Sequence, residues 1–205
     1  KVGVRINTDG RYNPEKIIGV NNADEYEVSS NGKEVVFVHR GEVFVSSIAE
    51  GTTRRITNTP EQERNVSFSP DGRSILYASE RNGSWDLYTT SLARKEEKYF
   101  FNATVLKEEA LLATPAEEFQ CAYSPDGKEV AYLEERTTLK VLNLATKQTR
   151  TVMPGNKNYS YADGDQWYEW SPDGRTLAVQ FLSPTRWSSE VGLVPAAGGA
   201  TVTNL

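Results

Sequence analysis

The chain of 205 residues carries one histidine, His39, and one cysteine, Cys121. A Ser-His-Asp or Cys-His nucleophile would have to be built on His39. It stands beside Arg40-Gly41 at a tight turn between two apolar runs, where it reads as a solvated or hydrogen-bonded turn residue. No Gly-x-Ser-x-Gly elbow and no phosphate-cradling glycine loop occurs. Cys121 falls in an alternating apolar row and reads as a small buried hydrophobe, and a lone cysteine forms no disulfide within the chain. Asp163 and Asp165 flank Gly164 as the start of a calcium loop would, but Tyr168 and Trp170 stand where later ligands are needed. No catalytic residue, metal site or cofactor is expected in this chain.

One row of side chains has a spacing that suits recognition. Four residues before the serine of each repeated turn described below stand Glu25, Asn65, Gln120 and Trp167. They are out of phase with the apolar row beside them and close to the start of what should be an innermost strand. Such a ring of amide, carboxylate and indole groups could hydrogen-bond the backbone of an extended peptide; the plainer reading is the polar lining of a water-filled channel. The aromatic cluster Tyr159, Tyr161, Trp167, Tyr168 and Trp170 invites a second binding reading, since aromatic side chains are enriched at binding hot spots. Register makes Tyr168 and Trp170 core residues, and leaves Tyr159 and Tyr161 as exposed candidates in a connection.

The elements that position this row repeat. Ser69-Pro70-Asp71-Gly72, Ser124-Pro125-Asp126-Gly127 and Ser171-Pro172-Asp173-Gly174 are three copies of one turn, and Ser29-Ser30-Asn31-Gly32 is a degenerate fourth. Their glycines fall 40, 55 and 47 residues apart, near the roughly 40–50 residue period of propeller blades. Proline presets φ, aspartate or asparagine bonds the nearby backbone, and glycine takes the left-handed position. Before each turn lies a period-2 apolar row, such as Val66 and Phe68. After it comes a continuous apolar run, such as Ile75-Leu76-Tyr77, as expected of a strand covered on both faces. A third strand and a weaker fourth complete each unit.

The fold class expected is therefore all-β, a β-propeller segment of about four four-stranded blades belonging to a larger ring. The boundaries expected are an outer strand of a preceding blade with a linker over 1–22, then blades at 23–60, 61–116, 117–153 and 154–205. The second blade carries an insertion at 93–110, read as an excursion between strands in preference to a charged helix. The formal net charge of −5 and the lack of a basic stripe argue against nucleic acid as a partner. No apolar run reaches the roughly 18–20 residues of a membrane span. The chain opens at Lys1 with no initiator Met and no signal-peptide pattern, and so reads as a processed or excised piece.

These repeats resemble the WD-like propeller repeats of the TolB and tricorn-protease families. The more specific likeness, to the propeller of tricorn-like serine peptidases, rests on HRGEVFVSS (His39 to Ser47), RRITNTPEQERNVSFSPDG (Arg54 to Gly72) and ILYASERNGSWDLY (Ile75 to Tyr88). The resemblance implies a non-catalytic propeller of a multidomain, periplasmic peptidase of the tail-specific type, binding or gating a peptide or protein substrate. Its partners would be the PDZ-like and catalytic domains of the parent chain. A TolB-like interaction scaffold is the alternative. A third reading, the propeller cap of a prolyl-oligopeptidase-like hydrolase, is disfavoured by RGEVF and ERNVSFSPDG.

Overall fold

The computed structural model describes residues 19, 20, 22–162, 166–183, 185, 188–199 and the backbone of 203–204. It holds four antiparallel sheets, each a four-stranded meander in chain order. The first blade is β1 (Glu25–Val28), β2 (Glu34–His39), β3 (Glu42–Ser47) and β4 (Thr53–Arg55). The second is β5 (Glu63–Phe68), β6 (Ser74–Ser79), β7 (Asp86–Leu92) and β8 (Leu106–Leu112). The third is β9 (Glu118–Tyr123), β10 (Glu129–Glu134), β11 (Thr138–Asn143) and β12 (Thr149–Met153). The fourth is β13 (Trp167–Trp170), β14 (Thr176–Leu182), β15 (Ser189–Pro195) and β16 (Thr203–Asn204). The strand expected within 1–22 lies outside the described residues, and of the linker after it only 19, 20 and 22 are described.

Each first hairpin is closed by the repeated turn, and the reason is local. Ser69 Oγ accepts the Ser74 N–H at 2.9 Å and donates to Asp71 Oδ1 at 2.6 Å, while Asp71 Oδ1 accepts the Arg73 N–H at 3.0 Å. Gly72 takes φ +68°, where a Cβ would be strained. The degenerate copy keeps this chemistry. Asn31 Oδ1 accepts from Ser29 Oγ at 3.0 Å and from the Lys33 N–H at 2.9 Å, so an amide oxygen replaces the carboxylate and the missing proline is dispensable.

Alternate residues of β6 enter different cores. Ile75 and Tyr77 join Val36, Val38, Val43, Val45, Val66 and Phe68 between the first and second blades. Leu76 and Ala78 join a larger core that continues through Val130, Tyr132 and Leu139 to Tyr168, Trp170, Leu177 and Val179 of the fourth blade. Among the described residues no apolar core joins the fourth blade to the first. The apolar row shows the consequence: Val66, Cys121 and Tyr168 are 5–8% exposed, whereas Tyr26, in the same register, is 71% exposed.

The excursion in the second blade is shorter than the 93–110 expected. β8 begins at Leu106 and pairs with β7 from Leu92↔Leu106 onward, so the charged Lys107-Glu108-Glu109 run is strand, and only 93–105 is excursion. An outermost strand has one solvated edge and tolerates that charge. The excursion folds back under the neighbouring blade. Phe100 is fully buried with its ring centroid 6.1 Å from that of Phe68, and the Phe101 N–H donates to Glu34 Oε1 at 3.0 Å.

Candidate functional site

The row Glu25, Asn65, Gln120 and Trp167 begins or nearly begins the four inner strands, but its members differ in backbone. Glu25 and Trp167 sit in regular ladder positions opposite Val38 and Gln180. Asn65 and Gln120 stand at register shifts in β5 and β9, with φ +58° and +55°. A residue in the left-handed region at a bulge turns its own N–H and C=O out of the ladder, and those groups need other partners.

The neighbouring blades supply them. Glu25 Oε2 accepts the Asn65 N–H, and Asn65 Nδ2 lies 3.4 Å from the other oxygen. Asn65 Oδ1 accepts the Gln120 N–H at 2.7 Å, and Gln120 Nε2 donates to the Gln166 carbonyl at 2.7 Å. The row thus runs as a relay in which each side chain bonds the backbone of the following blade. On the other side, Cys121 Sγ donates to the Asn65 carbonyl at 3.4 Å, and the single hydroxyl proton of Tyr168 lies between the Gln120 carbonyl and, at 2.9 Å, that of Ala131. Trp167 ends the relay and is 57% exposed.

The same four residues line a cleft of about 700 Å³ enclosed by the inner strands and reaching the turns at Pro70 and Pro125. Its other walls include Asp24, Glu27 and Glu169 together with Tyr26, Tyr168 and Trp170; among the described residues no lysine or arginine lines it. Burial pushes the Glu25 carboxyl above the usual range despite the Asn65 N–H and the nearby Arg64. Burial also raises Glu27, against the Phe68 N–H that it accepts at 3.0 Å, and the charge of Glu169 adds to the rise. The described walls of the cleft are therefore acidic, and Glu25 and Glu27 are partly stripped of water while Asp24 and Glu169 stay exposed.

Sequence reasoning placed the row but missed Glu27 and Glu169. The signal was present: both stand two residues after a row member, on the same face of their strands. His39 lies elsewhere, in a groove on the outer face of the first blade with Tyr26, Phe37 and Phe44. Burial raises the Cys121 thiol far above its ordinary value, which keeps it protonated. Tyr159 and Tyr161 stack edge to face with centroids 4.7 Å apart and remain exposed. Asp163 and Asp165 lie outside the described residues. Among the described residues no group of three His, Cys, Asp or Glu side chains could hold a metal ion.

Four meandering sheets around a cleft, with successive blades sharing cores, define the chain as a β-propeller segment. Residues 12–205 match the family described as the Dipeptidyl peptidase IV (DPP IV) N-terminal region, and the chain belongs to that family. Among relatives, the Tol-Pal system protein TolB of Bordetella pertussis is 38% identical over 52 residues, which are 25% of this chain and 12% of that protein. The crystal structure of TolB from Acinetobacter baumannii superposes with a TM-score of 0.64 at 19% identity, over 88% of this chain and 42% of that one. The tricorn protease superposes with a TM-score of 0.65 at 14% identity, over 89% of this chain and 16% of that one. These structural likenesses concern the fold. The chain spans well under two thirds of the length of each of these three proteins.

Proposed function

We propose that this chain is the non-catalytic, peptide-binding or peptide-gating propeller of a larger periplasmic peptidase. The observation that carries the reading is the acidic cleft between the inner strands, in which Asp24, Glu25, Glu27 and Glu169 face one space with aromatic side chains and, among the described residues, without a cationic side chain. Carboxylates clustered in one cleft, two of them partly buried, gain from a cationic guest, so the peptides favoured are those with an ammonium or guanidinium group and an extended backbone. The family name, that of a peptidase's N-terminal region, supports a peptidase as the parent. It supports a dipeptidyl-peptidase-type parent at least as well as the tricorn-like one that the sequence motifs suggest.

A second reading, a TolB-like scaffold, is favoured by the TolB relatives. In it the same cleft holds a segment of a partner protein. Both readings expect peptide binding by the chain and no hydrolysis by it. Tryptophan fluorescence of the chain, titrated with Lys-Ala-Ala-Ala-Phe and with Glu-Ala-Ala-Ala-Phe, tests what they share. The lysine peptide should bind more tightly, and Glu169→Gln should weaken it several-fold at low salt. Failure of both peptides to bind, or a preference for the glutamate peptide, would end this reading.

A further inference from the structure

The aromatic side chains of the acidic cleft are of two kinds. Tyr168 and Trp170 are buried in the core shared with the third blade, and turn their polar atoms to the Ala131 and Ala122 carbonyls of that blade. Tyr26 and Trp167 line the cleft and are largely exposed. Strand alternation accounts for the difference. Trp167 stands on the face of β13 opposite to Tyr168 and Trp170, turned away from the third blade. Tyr26 shares its register with Val66, Cys121 and Tyr168, which pack on the preceding blade, and among the described residues no blade precedes its own.

Each exposed ring has a carboxylate two residues away. Glu169 follows Trp167 on the same face of β13, Asp24 precedes Tyr26, and both carboxylates are exposed and line the cleft. Alternate residues of a strand project to one side about 7 Å apart, so ring and carboxylate stand side by side. Glu25 and Glu27 lie on the other face of β1, where the N–H groups of Asn65 and Phe68 already engage part of each carboxylate. They add negative potential to the cleft, and the exposed pairs add a surface on which a guest can stack.

We propose that the cationic side chain selected by this cleft is arginine, its guanidinium stacked on Trp167 with one edge bonded to Glu169. The inference rests on the peptide-binding reading above and names the side chain that such a peptide carries. Tyr26 and Asp24 offer the same combination on the wall of the first blade. An exposed carboxylate alone distinguishes poorly between cations; the ring beside it does so. Ammonium is compact and strongly hydrated, and laying it on a ring strips water that one carboxylate does not replace. Guanidinium is planar and weakly hydrated, so it lies flat on an indole while its edge gives two parallel N–H bonds to a carboxylate. An apolar side chain on the same rings would strip water from Glu169 and Asp24 and return no hydrogen bond. The charge of Glu169 also helps to hold the Glu27 carboxyl above its usual range, so a cation set beside Glu169 relieves both.

Calorimetry on the chain with Arg-Ala-Ala-Ala-Phe, Lys-Ala-Ala-Ala-Phe and citrulline-Ala-Ala-Ala-Phe tests this, since the three differ only in the first side chain. The arginine peptide should bind roughly fivefold more tightly than the lysine peptide, the order of an exposed cation–π contact, and the neutral citrulline peptide more weakly than either. Trp167→Leu, at an exposed position, should remove most of the arginine preference and Tyr26→Leu a smaller part of it. Glu169→Gln should weaken both cationic peptides. Equal affinities for the arginine and lysine peptides, a preference for lysine, citrulline binding as tightly as arginine, or an arginine preference that survives Trp167→Leu would overturn the inference while leaving peptide binding intact. If none of the three binds, the inference falls together with the reading beneath it.

Discussion

The second and third blades open on the same corner, Thr59-Pro60-Glu61-Gln62-Glu63 and Thr114-Pro115-Ala116-Glu117-Glu118, and bury its last carboxylate in different company. In both, the threonine hydroxyl donates to the glutamate four residues on. Both glutamates are fully buried. Glu63 Oε1 also accepts from Ser79 Oγ at 3.0 Å and lies 3.5 Å from Arg81, whose guanidinium reaches Glu108 at 2.6 Å and covers the Tyr88 ring at 4.5 Å. At the position of Ser79 the third blade has Glu134, which pairs with Lys140 at 2.6 Å. Glu118 is left with Thr114, the nearby charges of Asp86 and Glu134, and an oxygen that no hydrogen bond reaches. Glu63 too keeps one oxygen that no hydrogen bond reaches, so the corners differ in charge: Glu63 lies beside a cation and Glu118 among carboxylates, and a repeated motif does not imply repeated energetics.

The largest expected effect is at Arg81. Arg81→Met strips the buried Glu63 of its cation and releases Glu108, and breaking a buried pair from one side costs roughly 3–5 kcal/mol. Urea unfolding should show that loss. A cost below about 1 kcal/mol would mean that the second corner is no better satisfied than the third.

Next in size is one substitution with opposite signs. Glu63→Gln removes the charge that Arg81 and two hydroxyls are arranged around and should destabilise by about 1.5–3 kcal/mol. Glu118→Gln removes a charge that burial and neighbouring carboxylates disfavour, and should stabilise by on the order of 1 kcal/mol at pH 8. Because the folded-state pKa of Glu118 is raised, the folded state holds its proton more tightly than the unfolded chain does. Its contribution is favourable below the ordinary glutamate range and is lost as pH rises through the raised value. The gain from Glu118→Gln should therefore shrink toward pH 4. Melting temperatures of both variants from pH 4 to 8 check this, and parallel curves would remove the distinction.

How much of this was legible in the sequence follows from what each feature depends on. The Ser-Pro-Asp-Gly turn is local chemistry, so the strand register and the burial of both faces of β6 could be read from Ser69 to Tyr77. The row from Glu25 to Trp167 followed from the same register. The left-handed backbone at Asn65 and Gln120 could not be read, since a bulge exists only relative to the partner strand and both segments look like ordinary alternation. The end of the excursion was misjudged because Lys107-Glu108-Glu109 carries charge that an outer edge tolerates and an inner strand does not. The acidity of the cleft was overlooked because Glu27 and Glu169 come from blades at opposite ends of the sequence, and only their meeting in one space makes them a group.

The smallest effect separates the two blades at their bulges. Asn65 and Gln120 share a left-handed backbone, which asparagine tolerates better than glutamine, so glycine should relieve more strain at 120 than at 65. Their side chains also do unequal work. Asn65 Oδ1 is the partner of the Gln120 N–H, a backbone group turned out of its ladder, whereas Gln120 Nε2 bonds the Gln166 carbonyl just before β13. Asn65→Gly should thus cost about 1 kcal/mol by leaving that N–H unpaired, and Gln120→Gly should fall within about 0.5 kcal/mol of neutral, gained backbone freedom offsetting a lost hydrogen bond. Equal costs in chemical denaturation would show that strain at the bulge, and not the bond between blades, decides stability there. The relay would then be a consequence of blade packing and not one of its causes.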